Sequence, residues 1–352
     1  MIDTKFSVAE VQTSQTGLPA GFQMRPATME DLVAAVRVMN VWSSQVLGRN
    51  KFILDDVRRE WKEPGYNLEA DSRLVVDPQG RIVGFQEVFD PGFPHVRIYC
   101  WGVVDPGFTS LGLELQLLNW AEERARQSLD AAPPNARVAM VTHCLSSQTD
   151  TVELLRNNGF AFQRHSLRMV LEISGRPELP VWPESITVRS MQAGREERAV
   201  VEAVRDAFRD HWGFVESPFE DEFARWKHLM EVNPDFDPAL WFLALDGEQI
   251  AGFSLCWPKT HDEIEMGWVG TLGVRRPWRR QGLALALLQH SFLEFWKRGK
   301  LKVGLGVDAQ SLTGATRLYQ RAGMHSDQER QISIFEKELH PGEELSTQSI
   351  DI

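Results

Sequence analysis

The sequence predicts an α/β (α+β) chain of two tandem domains, each a mixed, predominantly antiparallel sheet flanked by helices. Three observations carry that expectation. Strand-like and helix-like stretches alternate in a similar order in both halves, as they do in sheets covered by helices. A proline-rich stretch, "ISGRPELPVWPES" at residues 173–185, places Pro177, Pro180 and Pro183 where they stop helix and interior strand alike. The halves also repeat one another at whole-domain length. "MRPATMEDLVAAVRVMN" resembles "VRSMQAGREERAVVEAV", with Arg25 opposite Arg189, and "LLRNNGF" matches "LYQRAGM" at the same offset, with Gly159 opposite Gly323. Between these anchors "GVVDPGFTSLGLELQLLNWAEERA" parallels "GVRRPWRRQGLALALLQHSFLEFW", with Gly112 opposite Gly282. The expected division is a flexible tail at 1–20, a first domain at 21–173, a linker at 174–185, a second domain at 186–340 and a tail at 341–352.

The elements of the second half follow in order. A strand over residues 186–191 leads to helices in "REERAVVEAVRDAF" and "PFEDEFARWKHLM". Two strands lie in "LWFLALDGEQIAGFSLCW", with Asp246 and Gly247 as the hairpin signal, and another runs through "EIEMGWVGTLGV". The next helix carries Leu285, Leu288, Phe292 and Phe295 at helical spacing. It ends on Lys297, Arg298 and Gly299, cations in the last turn and a glycine where a left-handed cap belongs. "LKVGLGVDA" reads as a buried strand, "LTGATRLYQRAG" as a short helix and "MHSDQERQISIFEKEL" as a closing hairpin.

Composition bounds the function. At 352 residues the chain exceeds the usual single domain, and 43% hydrophobic with 25% charged residues is ordinary for a soluble globular protein. The opening "MIDTKFSVAE" lacks the basic region and apolar core of a signal peptide, and no apolar run reaches membrane-span length, so the cytoplasm is the expected location. Cys100, Cys144 and Cys256 are odd in number and widely spaced, which leaves no disulfide framework and no CxxC metal knuckle. A formal net charge of -11 argues against broad binding to nucleic acid or an anionic membrane.

One basic cluster stands against that acidity. "VRRPWRRQGLA" sets Arg275, Arg276, Arg279 and Arg280 between the end of a core strand and the start of a helix, where unpaired N–H groups and the positive end of the helix dipole bind phosphate. Gly282 permits close backbone approach, and the guanidiniums add charge-assisted hydrogen bonds. A diphosphate is the natural occupant. The spacing Arg279-x-x-Gly282-x-Ala284 resembles the Q/R-x-x-G-x-G/A acyl-CoA signature of the GNAT (GCN5-related N-acetyltransferase) superfamily, and the resemblance runs from residue 186 to about 339.

The resemblance implies acetyl-CoA as cosubstrate, a small amine-bearing acceptor and no metal. It implies a diphosphate site at Arg279, Arg280, Gln281, Gly282, Leu283 and Ala284, and a pantetheine arm paired like an added strand with the backbone of Leu272, Gly273 and Val274. It assigns the proton for the departing thiolate to Tyr319, within "ATRLYQRAGM", and puts Ser311 near where many members carry a positioning Asn. For the general base, "HDEIEMGW" offers His261, Asp262, Glu263 and Glu265; Glu265 is the candidate, its alternative being a solvated acidic turn. His211 and Trp212 in "DHWGF" either border the acceptor cleft or are ordinary packing.

The first half lacks these features. "DPGFTSLGLE" has Thr109, Ser110 and Leu111 in place of Arg279, Arg280 and Gln281, sets Glu114 opposite Ala284, and Leu155 stands opposite Tyr319. A carboxylate in the first helical turn satisfies the dipole with its own charge and repels a diphosphate. The arrangement resembles tandem GNAT proteins, including the mycothiol synthase type, with a degenerate first half and a catalytic second half. The expected activity is acetyl transfer to a primary amine by direct attack in a ternary complex, in a monomer that is an internal pseudo-dimer or in a homodimer. The alternative is a non-catalytic acyl-CoA-binding sensor or assembly module.

Overall fold

A computed structural model describes residues 17–260, 262–311 and 314–349. Residues 1–16 of the expected flexible tail and the base candidate His261 lie outside the described residues. Among the described residues, contacts divide the chain into two units, the first holding 17–62, 66–89 and 100–127, the second holding 63–65, 90–99 and the described residues from 128 on.

In the first unit β1 (Gln23–Arg25) pairs antiparallel with β2 (Ser72–Val76), and β2 with β3 (Ile82–Phe89). Helices α1 (Leu32–Leu47), α2 (Leu54–Glu60) and α3 (Leu68–Asp71) precede β2. Strand β4 (Arg97–Val104) gives residues 100–104 to this unit, and α4 (Leu113–Arg126) follows it. Alternation along the strands makes two faces. Leu74 and Phe85 meet Leu32, Ala35, Val36 and Met39 of α1, at helical spacing, while Val75 and Val83 meet Leu113 and Leu117 of α4.

The second unit begins with β5 (Val138–Leu145), α5 (Thr149–Asn157) and β6 (Ala161–Glu172). Residues 173–185 hold no helix or strand. Then come β7 (Ile186–Ser190), α6 (Glu197–Phe208), α7 (Phe219–Val232), β8 (Trp241–Asp246), β9 (Gln249–Trp257), β10 (Met266–Val274), α8 (Leu283–Lys297), β11 (Lys302–Asp308), α9 (Ala315–Arg321) and β12 (His325–His340). Its strands run in the order β5-β12-β6-β11-β10-β9-β8-β7, antiparallel except for β10 with β11.

That order contains an exchange. By sequence β6 closes the first half and β12 the second, yet β6 pairs with β11 through residues 166–172 and β12 pairs with β5. The two exchanged strands also pair with each other. The expected closing hairpin at residues 324–339 is therefore one strand, whose pairing with β6 shifts register between Asp327 and Ile332 and again between Ile334 and Phe335. "SDQERQ" supplies no glycine or asparagine for a tight turn, so the backbone bulges and continues. Leu167, Met169 and Leu171 of β6 join the core beneath α8, against Leu305, Leu287 and Phe295.

The repeat is visible in local geometry. Arg25 donates two hydrogen bonds to Asp31, at 2.7 and 2.6 Å, and Arg189 donates two to Glu196, at 2.8 and 2.5 Å. Gly112 (φ 71°) and Gly282 (φ 84°) each cap the helix that follows a 3-10 turn. The predicted stop of α8 is present, with Gly299 at φ 77° and the Lys300 N–H donating to Phe295 O at 2.9 Å. The polar tail is held at residues 343–348: Glu343 bridges Ala136, and Ser346 bridges Val215.

Candidate active site

The site starts from an irregularity in β10. Its pairing with β9 runs Trp268 to Trp257 and Val269 to Cys256, then jumps to Thr271 with Leu255, so Gly270 is the extra residue of a bulge. The parallel pairing of β10 with β11 stops at the same place: residues 266–268 pair with 302–304, although both strands continue, to Val274 and Asp308. Past the bulge the strands enclose a wedge. The outer edge of β10 is taken by β9 and that of β11 by β6, and no strand among the described residues lies between them past the bulge, although Val274 O accepts from Arg279 Nε at 2.9 Å. Leu272 and Val274 turn into the α8 core, leaving the backbone of Leu272, Gly273 and Val274 along the wedge.

At the open end Gly282, exposed and at φ 84°, begins α8, and a Cβ built there meets no atom within 4 Å. The first intrahelical bond is Ala286 N–H to Gly282 O, at 3.1 Å, which leaves the amides of Leu283, Ala284 and Leu285 as the unpaired donors of the helix start. Gln281 is exposed and donates to Pro277 O at 3.3 Å.

Three of the four guanidiniums are paired with carboxylates of the chain itself, Arg276 while staying exposed. Arg275 donates to Asp206 at 2.6 Å. Arg276 donates to Asp210 through Nε at 3.0 Å, and Arg279 pairs with the same carboxylate. Arg279 also donates to Val274 O at 2.9 Å and Ala207 O at 3.0 Å, so it fastens the loop to β10 and α6. Arg280, exposed and at φ 65°, is the guanidinium left facing solvent beside Gly282. The partners come from 66 to 69 residues upstream: Asp206 and Asp210 neutralise the partly buried Arg275 and Arg279, and Asp210 also takes the exposed Arg276.

The Arg276 guanidinium, with Arg279 behind it, holds the Asp210 carboxyl down at about 2. A depressed folded-state value means stabilisation that is present above the ordinary carboxylate range and lost as pH falls through it. Denaturant titrations from pH 4 to pH 2 are expected to cost the wild type about 1–2 kcal/mol more than Asp210→Asn. Equal slopes for the two proteins would show that the carboxylate clamp adds nothing.

Tyr319 lies on α9, which packs against β11 and α8, and is buried in the same cluster as Val269, Leu283 and Leu305. Burial pushes its phenol up to about 12, and the proton stays on across the physiological range. Ser311 accepts from the Ala315 N–H at 3.4 Å, steadying the start of α9. Glu265 is not brought to the wedge. It is on an exposed turn before β10, and about 15 Å of strand separate it from Gly270. Its neighbours are committed elsewhere: Glu263 accepts from Arg168 at 2.8 Å and Lys302 at 2.7 Å, and Asp262 faces Arg168 and Arg330 at 3.3 and 3.5 Å. Burial, with the charge of Arg279, pushes the His211 imidazole below its usual range. Asp206, Asp210 and Arg164, which pairs with Asp308 at the end of β11, were not singled out in sequence.

The comparisons with known proteins agree with this geometry. The Acetyltransferase (GNAT) family profile matches residues 199–324. A mycothiol acetyltransferase of Thermomonospora curvata is 32% identical over 229 residues, covering 63% of this chain and 68% of that one. The crystal structure of a GCN5-related N-acetyltransferase from Sphaerobacter thermophilus is 34% identical, with TM-score 0.76 over 94% of this chain and all of the other. The chain belongs to the GNAT acetyltransferase family. A tandem GNAT protein from the clavulanic acid biosynthesis pathway shares the fold at 15% identity, with TM-score 0.68 over 92% of this chain. Against other mycothiol acetyltransferases, from Streptomyces scabiei and Actinosynnema mirum, the chain spans about half of their length, 45% and 48%. Among the described residues of this GNAT chain no cluster of His, Cys, Asp or Glu is arranged to hold a metal ion, and no helix is long and apolar enough to cross a membrane.

In the first unit the loop corresponding to the arginine turn, Pro106–Leu111, keeps the glycine cap but carries Glu114 in the first turn of α4. Burial pushes that carboxyl up.

Proposed function

We propose that the chain is a cytoplasmic N-acetyltransferase that moves acetyl from acetyl-CoA to a primary amine of a small acceptor in a ternary complex. The observation that carries this reading is the wedge between β10 and β11, which opens at Gly270 and leads to the glycine-capped start of α8. Pantetheine pairs with the backbone of Leu272, Gly273 and Val274, and the diphosphate takes the amides from Gln281 to Ala284 with Arg280. The neutral amine nitrogen attacks the thioester carbon and loses a proton to solvent, the C–S bond breaks, and the thiolate takes its proton from Tyr319, which regains one from solvent. Ser311 acts through α9, and Arg279 through the loop it fastens.

A second reading has one observation in its favour. From Met266 to Val274 the strand "MGWVGTLGV" carries no titratable side chain, so the acceptor's proton leaves through another element or solvent, or the chain binds acyl-CoA without turnover. Release of CoA on mixing acetyl-CoA with a panel of primary amines, including the acceptor of mycothiol acetyltransferases, separates the readings. Tight CoA binding with no amine-dependent release supports the sensor.

The first unit makes a separate prediction. Its loop offers no cation and places Glu114 at the anion seat, so one CoA is expected per chain. Calorimetric titration giving a stoichiometry near two would overturn the assignment of a single site.

A further inference from the structure

The loop between α6 and α7, residues 209–218, is tied to both lips of the wedge. Asp210 grips Arg276 and Arg279, which belong to the lip that follows β10. Two residues on, the Trp212 ring lies under the Arg164 guanidinium at 3.7 Å, and Arg164 pairs with Asp308, the last residue of β11 on the opposite lip. Arg97 covers the same indole at 4.6 Å and pairs with Glu336 of β12 at 2.7 Å. One short loop thus reaches the two strands whose separation makes the CoA site.

A distant segment holds this loop in turn. The Gly213 N–H donates to Thr347 O at 2.8 Å, and the Thr347 N–H donates to Phe214 O at 2.8 Å, a rung of antiparallel pairing. The Thr347 hydroxyl donates to Arg209 O at 3.0 Å, and the Trp212 indole N–H donates to Gln348 Oε1 at 2.8 Å. The segment is anchored at its other end, where the Arg137 N–H donates to Glu343 O at 2.8 Å, the Glu343 N–H to Asn135 O at 2.7 Å, and the Arg137 guanidinium to Glu344 at 2.9 Å. Gly213 is at φ 77°, and a Cβ there would stand 3.3 Å from Arg97 Cζ, so the loop is fitted closely between the segment and the arginines.

We propose that residues 209–218 brace the mouth of the wedge and that Thr347 and Gln348 are positioning residues, setting the brace and through it the grip on acetyl-CoA. Neither touches the wedge. Their effect passes through the Asp210 clamp on one side and the Trp212, Arg164 and Asp308 chain on the other. Without the clamp the loop gains conformational freedom, and the arginine turn that Asp210 holds shares it. The proposal rests on the CoA-binding reading of the wedge.

The test uses the full chain with Thr347→Pro combined with Gln348→Ala, which removes the N–H and hydroxyl donors to the loop and the acceptor for the indole. The expected result is a CoA Kd and an acetyl-CoA KM about tenfold higher, with kcat within about twofold and native circular dichroism. Thr347→Ser, which keeps the hydroxyl and the N–H, is expected to bind like the wild type. Unchanged Kd and KM in the double variant, or a fall in kcat alone, overturns the proposal. If the wild type binds no CoA, the acetyl-CoA reading fails instead. The brace is then judged by hydrogen exchange over residues 209–218, where unchanged protection in the double variant refutes it.

Discussion

Gly282→Glu is expected to reduce CoA affinity at least ~100-fold, a loss of about 2.7 kcal/mol or more. Two effects act in the same direction. A carboxylate at the cap of α8 satisfies the N–H groups and dipole that the diphosphate would use, and it opposes the incoming charge. The left-handed backbone at φ 84° adds roughly 1 kcal/mol of strain for any side chain. Because no atom lies within 4 Å of the added Cβ, the variant has room to fold. Gly282→Ala carries the strain without the charge and should lose much less. Calorimetry on folded Gly282→Glu with wild-type affinity would remove the diphosphate from this loop.

Tyr319→Phe should lower kcat ~100-fold while leaving acetyl-CoA affinity within about twofold. The ring fills the same place among Val269, Leu283 and Leu305, so packing is kept and only the proton is lost. With the phenol at about 12, the group does not titrate between pH 6 and pH 9, and the two proteins should give pH–rate profiles of the same shape, displaced in height. Steady-state kinetics over that range checks both points. Undiminished turnover would mean that solvent protonates the thiolate. A change in profile shape would mean that another group's titration depends on the hydroxyl.

How far the sequence was legible depended on the range of each interaction. The glycine cap of α8, its stop at Gly299 and the paired anchors Arg25 and Arg189 are local matters of backbone and first-turn chemistry, and a few adjacent residues reveal them. The exchange of β6 and β12 was hidden, because alternation along a strand tells which face is buried but not which neighbour it takes. The arginine turn was recognised as an anion seat, yet the carboxylates that claim Arg275, Arg276 and Arg279 come from α6 and the loop after it. Charge counted along the chain does not say which cations are already matched. Glu265 stands out in sequence by its position before a strand, whereas the bulge at Gly270, which no residue pattern announces, lies five residues further on.

The exchanged strands bear on how the chain is made. As the polypeptide leaves the ribosome, β6 emerges long before its partner: Leu171 must wait for Val303, and Val138 for His340. Until then β5 has only β4 on one side and β6 lacks β11 and β12, leaving open edges, the kind of surface that sticks to other nascent chains. A gene cut at the proline-rich stretch would leave each product with a strand that belongs to the other, so the expected yield is aggregate rather than two soluble proteins. Co-expression of the pieces should restore material that either piece alone loses. The two halves are thereby one inheritance, since neither can be removed without taking from the other a strand that its sheet needs.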